Sequence, residues 1–182
     1  MNRIAIFALS LVFIIGSTTV VHAAVDTEFQ QINGLYQQGQ YNTALDRVNA
    51  YIAKNPQDAQ ARFLKGLILT SQNKSADAIN VFSSLTEDFP ELPEPYNNLA
   101  VLYAAQGQYE QARHALEMAI HTHPDYAVAE QNLGDIYAKM AAIAYGKALQ
   151  LNATDAAVQS KLALAQQIFT AHKPAEPAII TK

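Results

Sequence analysis

Across residues 93–126 the apolar and small side chains fall into two stripes, each with the step of a helix. Tyr96, Leu99, Ala100 and Tyr103 are spaced by three, one and three, and Ala112, Ala115, Leu116, Ala119 and Ile120 form a second stripe of the same kind. Between them lies the polar stretch Gln106-Gly107-Gln108-Tyr109. Its glycine reaches the left-handed conformation that closes one helix and turns the chain into the next. The pattern predicts a helix, a turn and an antiparallel helix.

The same unit recurs with a period of 34 residues. Pro56, Pro90 and Pro124 share one column, Ala44, Ala78 and Ala112 a second, and Gly66, Ala100 and Gly134 a third, while Phe82 is matched by Leu116. Such a period is the mark of a stacked repeat array, in which no unit can bury its apolar face alone. Packing explains each column. Small residues let the two helices of a unit approach closely, and Tyr and Phe fill the gaps between neighbouring units. Each proline falls where the second helix must stop. A ligand cage is the other use such aromatics have, and the columns do not require it.

These residues resemble the tetratricopeptide repeat family, and the resemblance covers nearly all of the chain beyond residue 23. In 93–126 the match is close: Tyr96, Leu99, Ala100, Tyr103, Gly107, Tyr109, Ala112, Leu116, Ala119 and Pro124 stand at the family's signature positions. In 59–92, Gly66, Ala78, Phe82 and Pro90 are kept and Asn73 replaces the turn glycine, a residue the left-handed region tolerates. In 25–58, Gly39, Tyr41, Ala44 and Pro56 mark the second helix, but Ile32 occupies the small-residue column and Asn33-Gly34 follows it. A looser helix contact is expected there, as suits a terminal repeat. The resemblance implies an all-α fold, a right-handed α-solenoid of antiparallel helix pairs over residues 24–172.

The fourth unit, 127–153, departs. It opens with Asn132, Leu133, Gly134 and Tyr137, then runs through Ala138-Lys139-Met140-Ala141-Ala142 with no turn glycine. The five residues equivalent to Gly107 through Gln111 are absent. The stripe Gly134, Tyr137, Ala141, Tyr145, Ala148 steps continuously, which predicts one long helix from about Ala127 to Leu151, with a kink near Met140 to Ala142 as the alternative. Its second half would carry an apolar face of Ile143, Ala144, Tyr145 and Ala148. A final helix within 154–171 can cover that face with Val158, Leu162, Ala165 and Phe169, capped by Thr154; a second copy of the chain, using Ile143, Tyr145 and Leu149, is the alternative cover. Residues 173–182 carry two prolines and read as a flexible tail.

Composition changes the picture at the N-terminus. Residues 1–23 show Arg3, an apolar run from Ile4 to Ile15, a break at Gly16 and an ending Val21-His22-Ala23, the layout of a cleavable signal peptide. The apolar run is about 18 Å of helix against a bilayer core of roughly 30 Å. A permanent span is therefore not expected, although an uncleaved signal anchor is the rival reading. Either way the rest of the chain faces an extracytoplasmic space, and a Sec-type signal points to a Gram-negative periplasm. Of the 12 basic and 16 acidic residues of the whole chain, only Arg3 falls in this segment. The acidic balance argues against nucleic acid as partner. With no cysteine, the chain has no disulfide, thiolate metal site, thiol nucleophile or N-terminal lipid attachment.

Candidate chemistry is sparse. The chain has no phosphate loop, nucleophile elbow or His-Glu-x-x-His motif, so neither an enzyme nor a cofactor is expected. His121 and His123 are two apart, which on a helix points them about 200° apart, so helix C-terminal capping suits them better than a metal ion. Glu87, Asp88, Glu91 and Glu94 surround three prolines, a run that reads as a solvated loop or, less simply, as a contact for a basic partner. The concave surface lined by the first helix of each repeat remains. By register it is faced by Phe63, Leu67, Asn97, Asn98, Val101, Gln131, Asn132 and Asp135. The family resemblance implies that an asparagine at the column of Asn98 and Asn132 holds a bound peptide backbone, since an amide both donates and accepts. The family's carboxylate-clamping variety needs several basic residues, and Arg62, Lys65 and Lys139 do not form that pattern. The sequence thus points to a non-catalytic adaptor for a peptide or protein in an envelope, cell-wall or secretion-related complex, with a self-associating structural module as the alternative.

Overall fold

The computed structural model describes residues 18–170, with side chains described from 27 to 168. Most of the expected signal peptide, Phe169 of the expected last stripe and the expected tail at 173–182 lie outside those bounds. Among the described residues every regular element is an α-helix: α1 (Thr18–Gln37), α2 (Tyr41–Lys54), α3 (Ala59–Ser71), α4 (Ser75–Asp88), α5 (Pro93–Ala105), α6 (Tyr109–Thr122), α7 (Ala127–Leu151) and α8 (Ala156–Thr170). The helix starts at 41, 75 and 109, and at 59, 93 and 127, keep the 34-residue period.

The turns show why. Gly39 (φ 73°), Asn73 (φ 59°) and Gly107 (φ 74°) each adopt the left-handed conformation. Around each, two backbone bonds close the preceding helix: Gly39 N to Tyr36 O and Gln40 N to Leu35 O, with the same pair one and two periods on. This crossed arrangement satisfies two orphan carbonyls and needs a residue that tolerates positive φ at its centre. The fourth member of that column would be Ala141, which lies inside α7. With no such residue and no polar turn, the chain continues as a single helix of 25 residues.

The core runs through α3 to α7. Phe82, Leu85, Leu116, Ala112 and Ala119 are wholly buried in it. At Gly66 a Cβ would lie 2.5 Å from the Phe82 ring, so the small-residue column is a steric requirement in the second repeat. A second cluster holds the first repeat, with Ile32, Ala44 and Val48 at 0% exposure and Tyr51 at 1%. The expected looser contact is seen between the helices, since α1 and α2 meet less closely than α3 with α4 or α5 with α6, although the side chain of Ile32 is not left at a gap. Ile32 is completely enclosed, in one cluster with Val48 of α2 and Ile68 of α3.

Three expectations for the fourth unit need correction. Gly134 has no atom of another element within 4 Å of where its Cβ would stand, and it is exposed. The helix it would have accommodated went with the deleted turn. α8 does pack back along α7, with Val158 and Leu162 half-buried and Ala165 buried. It covers Tyr145, Ala148 and Leu149 but leaves Ile143 43% exposed and Ala144 exposed. The cap is also one residue further on than expected: Asp155 Oδ1, not Thr154, accepts from the backbone N–H of Ala157 and Val158.

Candidate functional site

The first helices of the repeats form one layer. α1 meets α3 and α5 meets α7 directly, while α2, α4 and α6 each lie between their own first helix and the next. The exposed side of that inner layer is where an extended partner finds several helices at once. On α5 the residues at 94, 97, 98, 101 and 105 share one face, since steps of three and four return to the same side of a helix. Val101 is 47% exposed and Ala105 is exposed, so this face opens to solvent at its C-terminal end. Its N-terminal end is different. Asn97 and Asn98 are only 3% and 5% exposed, the buried polar side chains of the described residues.

Their hydrogen bonds fix what they can do. Asn132 Nδ2, on α7, donates to Asn97 Oδ1 at 2.7 Å and so ties two neighbouring first helices together. Asn98 Nδ2 donates to the carbonyl of Glu94, one turn earlier, at 2.9 Å. The two asparagines one period apart are therefore not equivalent: Asn132 is engaged with Asn97, and Asn98 with its own helix. What remains on Asn97 and Asn98 is one amide N–H₂ and one amide oxygen, the pair of groups an extended backbone needs.

Beside them lie two further polar groups. Glu94 Oε2 and the Tyr126 hydroxyl are both buried with no hydrogen-bond partner. Tyr126 sits immediately before α7. Burial, and then the negative charge of Glu94, push its hydroxyl up to about 12. The group stays a neutral O–H donor throughout the ordinary pH range. Because the folded chain holds this proton more tightly than the unfolded chain does, the associated stability is present below pH 10 and is lost as pH rises towards about 12. Thermal melts between pH 9 and 12 should therefore fall less steeply for Tyr126→Phe than for the parent chain; parallel curves would show that the hydroxyl titrates like an exposed one.

The other expected groove residues are divided by the structure. Gln131 is exposed, and Asn132 and Asp135 are half-buried, all on α7 beside the α5 face. Phe63 and Leu67 are not groove contacts: at 2% and 3% exposure they belong to the core, with the Phe63 ring 5.4 Å from that of Phe82. The same register position is exposed at Val101 and buried at Leu67, which is where the expectation fails. Of the expected self-association residues, Tyr145 and Leu149 are half-buried beside α8, and Ile143 alone stays open.

The basic residues of α3 lie elsewhere. Arg62 donates to the Asp88 carboxylate at 2.6 Å and to Ser84 at 2.7 Å, and its guanidinium lies over the Phe89 ring. Lys65 lines a shallow depression with Asn49, Asn80 and Val81 of α2 and α4, on the opposite side of α3 from the inner layer. Neither is placed to clamp a carboxylate in the groove. Among the described residues no group of three His, Cys, Asp or Glu could hold a metal ion, and no helix is long and apolar enough to cross a membrane.

Sequence reasoning missed Tyr126. The column it occupies holds Asp58 and Leu92 in the two preceding repeats, each just before a first helix. An aromatic there, out of pattern, was the available signal.

Comparisons with known proteins agree with this architecture. Two tetratricopeptide repeat models match, over residues 29–93 and 69–133. Among solved structures, YrrB, described as a TPR protein with an unusual peptide-binding site, is 28% identical with a TM-score of 0.54, over 58% of this chain and 54% of that one. The chain thus spans about half the length of YrrB. MamA is 18% identical with a TM-score of 0.59, over 80% and 82% of the two chains. The Yersinia enterocolitica type III secretion chaperone SycD, in complex with a peptide of the translocator YopD, is 17% identical with a TM-score of 0.60, over 70% and 98%. The last two likenesses speak to the fold alone. No curated protein matches the chain. The matched models together span residues 29–133, and with the 34-residue helix pairs they place this chain in the tetratricopeptide repeat family.

Proposed function

We propose that this protein is a non-catalytic adaptor that binds a peptide or protein partner along the inner face of its first helices, exported by its N-terminal segment and acting in a periplasmic, envelope-related complex. The observation that carries the binding site is the α5 face, where exposed Val101 adjoins buried, partly unsatisfied Asn97 and Asn98. Apolar surface beside amide donors and acceptors suits an extended chain, which needs both. The peptide-binding site described for YrrB supports this reading. Export rests on the sequence of residues 1–23. Cleavage after Ala23 would shorten α1 but leave Phe29 and Ile32, its packed residues, untouched.

Crosslinking in the native cell, followed by capture and mass spectrometry, tests the site when run beside Val101→Asp. The substitution puts a charge on an exposed residue, so the fold is expected to survive it. A partner captured by the parent chain and reduced at least tenfold in the variant is the expected outcome. Equal capture by both would move binding away from this face. The alternative reading, a self-associating module, is favoured by one observation: Tyr137, Ile143, Leu164 and Ile168 are 43–63% exposed on α7 and α8. It predicts a mass in solution that rises with concentration and falls with Ile143→Glu.

A further inference from the structure

Four polar groups at the start of α5 lack a full set of partners. Among the described residues Glu94 Oε2 and the Tyr126 hydroxyl have none. Asn98 spends its N–H₂ on the Glu94 carbonyl, leaving its oxygen, and Asn97 spends its oxygen on Asn132, leaving its N–H₂. Both asparagines are more than nine-tenths buried. A buried carboxylate oxygen without a donor is costly, and folded chains seldom keep one without a use.

The acidic loop divides in a telling way. Asp88 is neutralised by Arg62. Glu87 and Glu91 are exposed to water. Of the four, Glu94 is the one with a carboxylate oxygen, Oε2, turned inward, and among the described residues nothing donates to it. Of the basic residues of α3, Arg62 is engaged with Asp88, and Lys65 lines the depression against α2 and α4. On α7, Asp135 adds a second acid to the same layer.

Resting on the groove reading above, we infer that the N-terminal end of the α5 face selects a cationic side chain: Glu94 takes the ammonium or guanidinium of a lysine or arginine in the bound peptide, Tyr126 presents its phenol to the same group, and Asn97 and Asn98 hold the adjacent peptide backbone. Lysine and arginine donate only and carry the charge that Glu94 lacks beside it. The phenol oxygen accepts from the same cation that Glu94 binds, so both oxygens gain a donor once the cation enters. The amide groups left on Asn97 and Asn98 are a donor and an acceptor, the two kinds of group that one peptide unit needs.

The test is selection from a randomised 12-residue peptide library displayed on phage, with the full chain as bait, followed by fluorescence anisotropy on the selected peptides. The expected result is enrichment of Lys or Arg at one fixed position. Glu94→Gln, nearly isosteric, should weaken the selected peptide about tenfold or more, the scale of one charge-assisted hydrogen bond. It should leave binding of the same peptide with Ala at that position unchanged. Tyr126→Phe, which keeps the ring, should weaken the basic peptide to a smaller extent. Peptides selected without a basic preference, or a preference that survives Glu94→Gln, overturn the inference while leaving the groove in place. Failure to select any peptide that Val101→Asp weakens overturns the groove and this inference together. Helical circular dichroism of each variant confirms that the fold persists.

Discussion

Phe82→Ala is expected to destabilise the protein by about 3–5 kcal/mol in urea unfolding, the scale for emptying a buried aromatic site. The ring is wholly buried in α4, faces Phe63 at 5.4 Å, and presses on the backbone of α3 at Gly66. The two helices are held at a distance set by that ring on one side and by the absence of a Cβ on the other. Gly66→Ala is accordingly expected to be destabilising by about 1–3 kcal/mol, although alanine is the better helix former, because overpacking outweighs helix propensity. The combination discriminates the cause. In the Phe82→Ala background the new methyl enters the space the ring has left, so Gly66→Ala becomes neutral or stabilising and the double change is strongly non-additive. Additive costs would mean that Gly66 is small for some reason other than this contact.

That contact was legible in the sequence because a solenoid repeats it. Each unit packs only against its neighbours, so the small column, the aromatic column and the turn residue recur at 34 and announce themselves by recurrence. Gly39, Asn73 and Gly107 were readable for the same reason, since the turn demands positive φ each time. The deletion of the fourth turn was a matter of counting. What recurrence does not carry is the fate of a position whose neighbours differ. Leu67 and Val101 occupy one column, yet the first is closed over by the core and the second is open. Gly134 kept the identity of its column after losing the helix that gave the column meaning. The placing of Glu94 near Tyr126 involves two residues that occur once each, and a period cannot point to what happens once. The binding residues proposed here lie at departures from the repeat, and those are the places where pattern reading is weakest.

The largest departure is α7, and it supplies the second large effect. Ala142→Pro would remove the N–H that bonds the carbonyl at 138 and place its ring against that carbonyl, at a cost of about 3 kcal/mol or more in a helix interior. The consequence depends on what the rest of that unit can bear. α8 buries Ala165 and half-buries Val158 and Leu162, while Leu164 and Ile168 stay 63% and 44% exposed. A unit with so few buried contacts opens at low free energy, and in a stacked array the end can open without the middle. The substitution is therefore expected to melt residues from about 142 to 170 while the first three repeats keep their own unfolding transition. Helical circular dichroism should drop by the share of those residues, and amide exchange over α8 should become fast while Leu85 and Leu116 stay protected. Ala142→Gly, costing only about 1 kcal/mol, should leave most of that helix in place. If Ala142→Pro keeps full helicity and the same exchange pattern, the chain already bends near Met140 to Ala142 in solution. A bend there would turn the second half of α7 towards the exposed Gly134 and Tyr137, where the missing helix of the fourth repeat belongs.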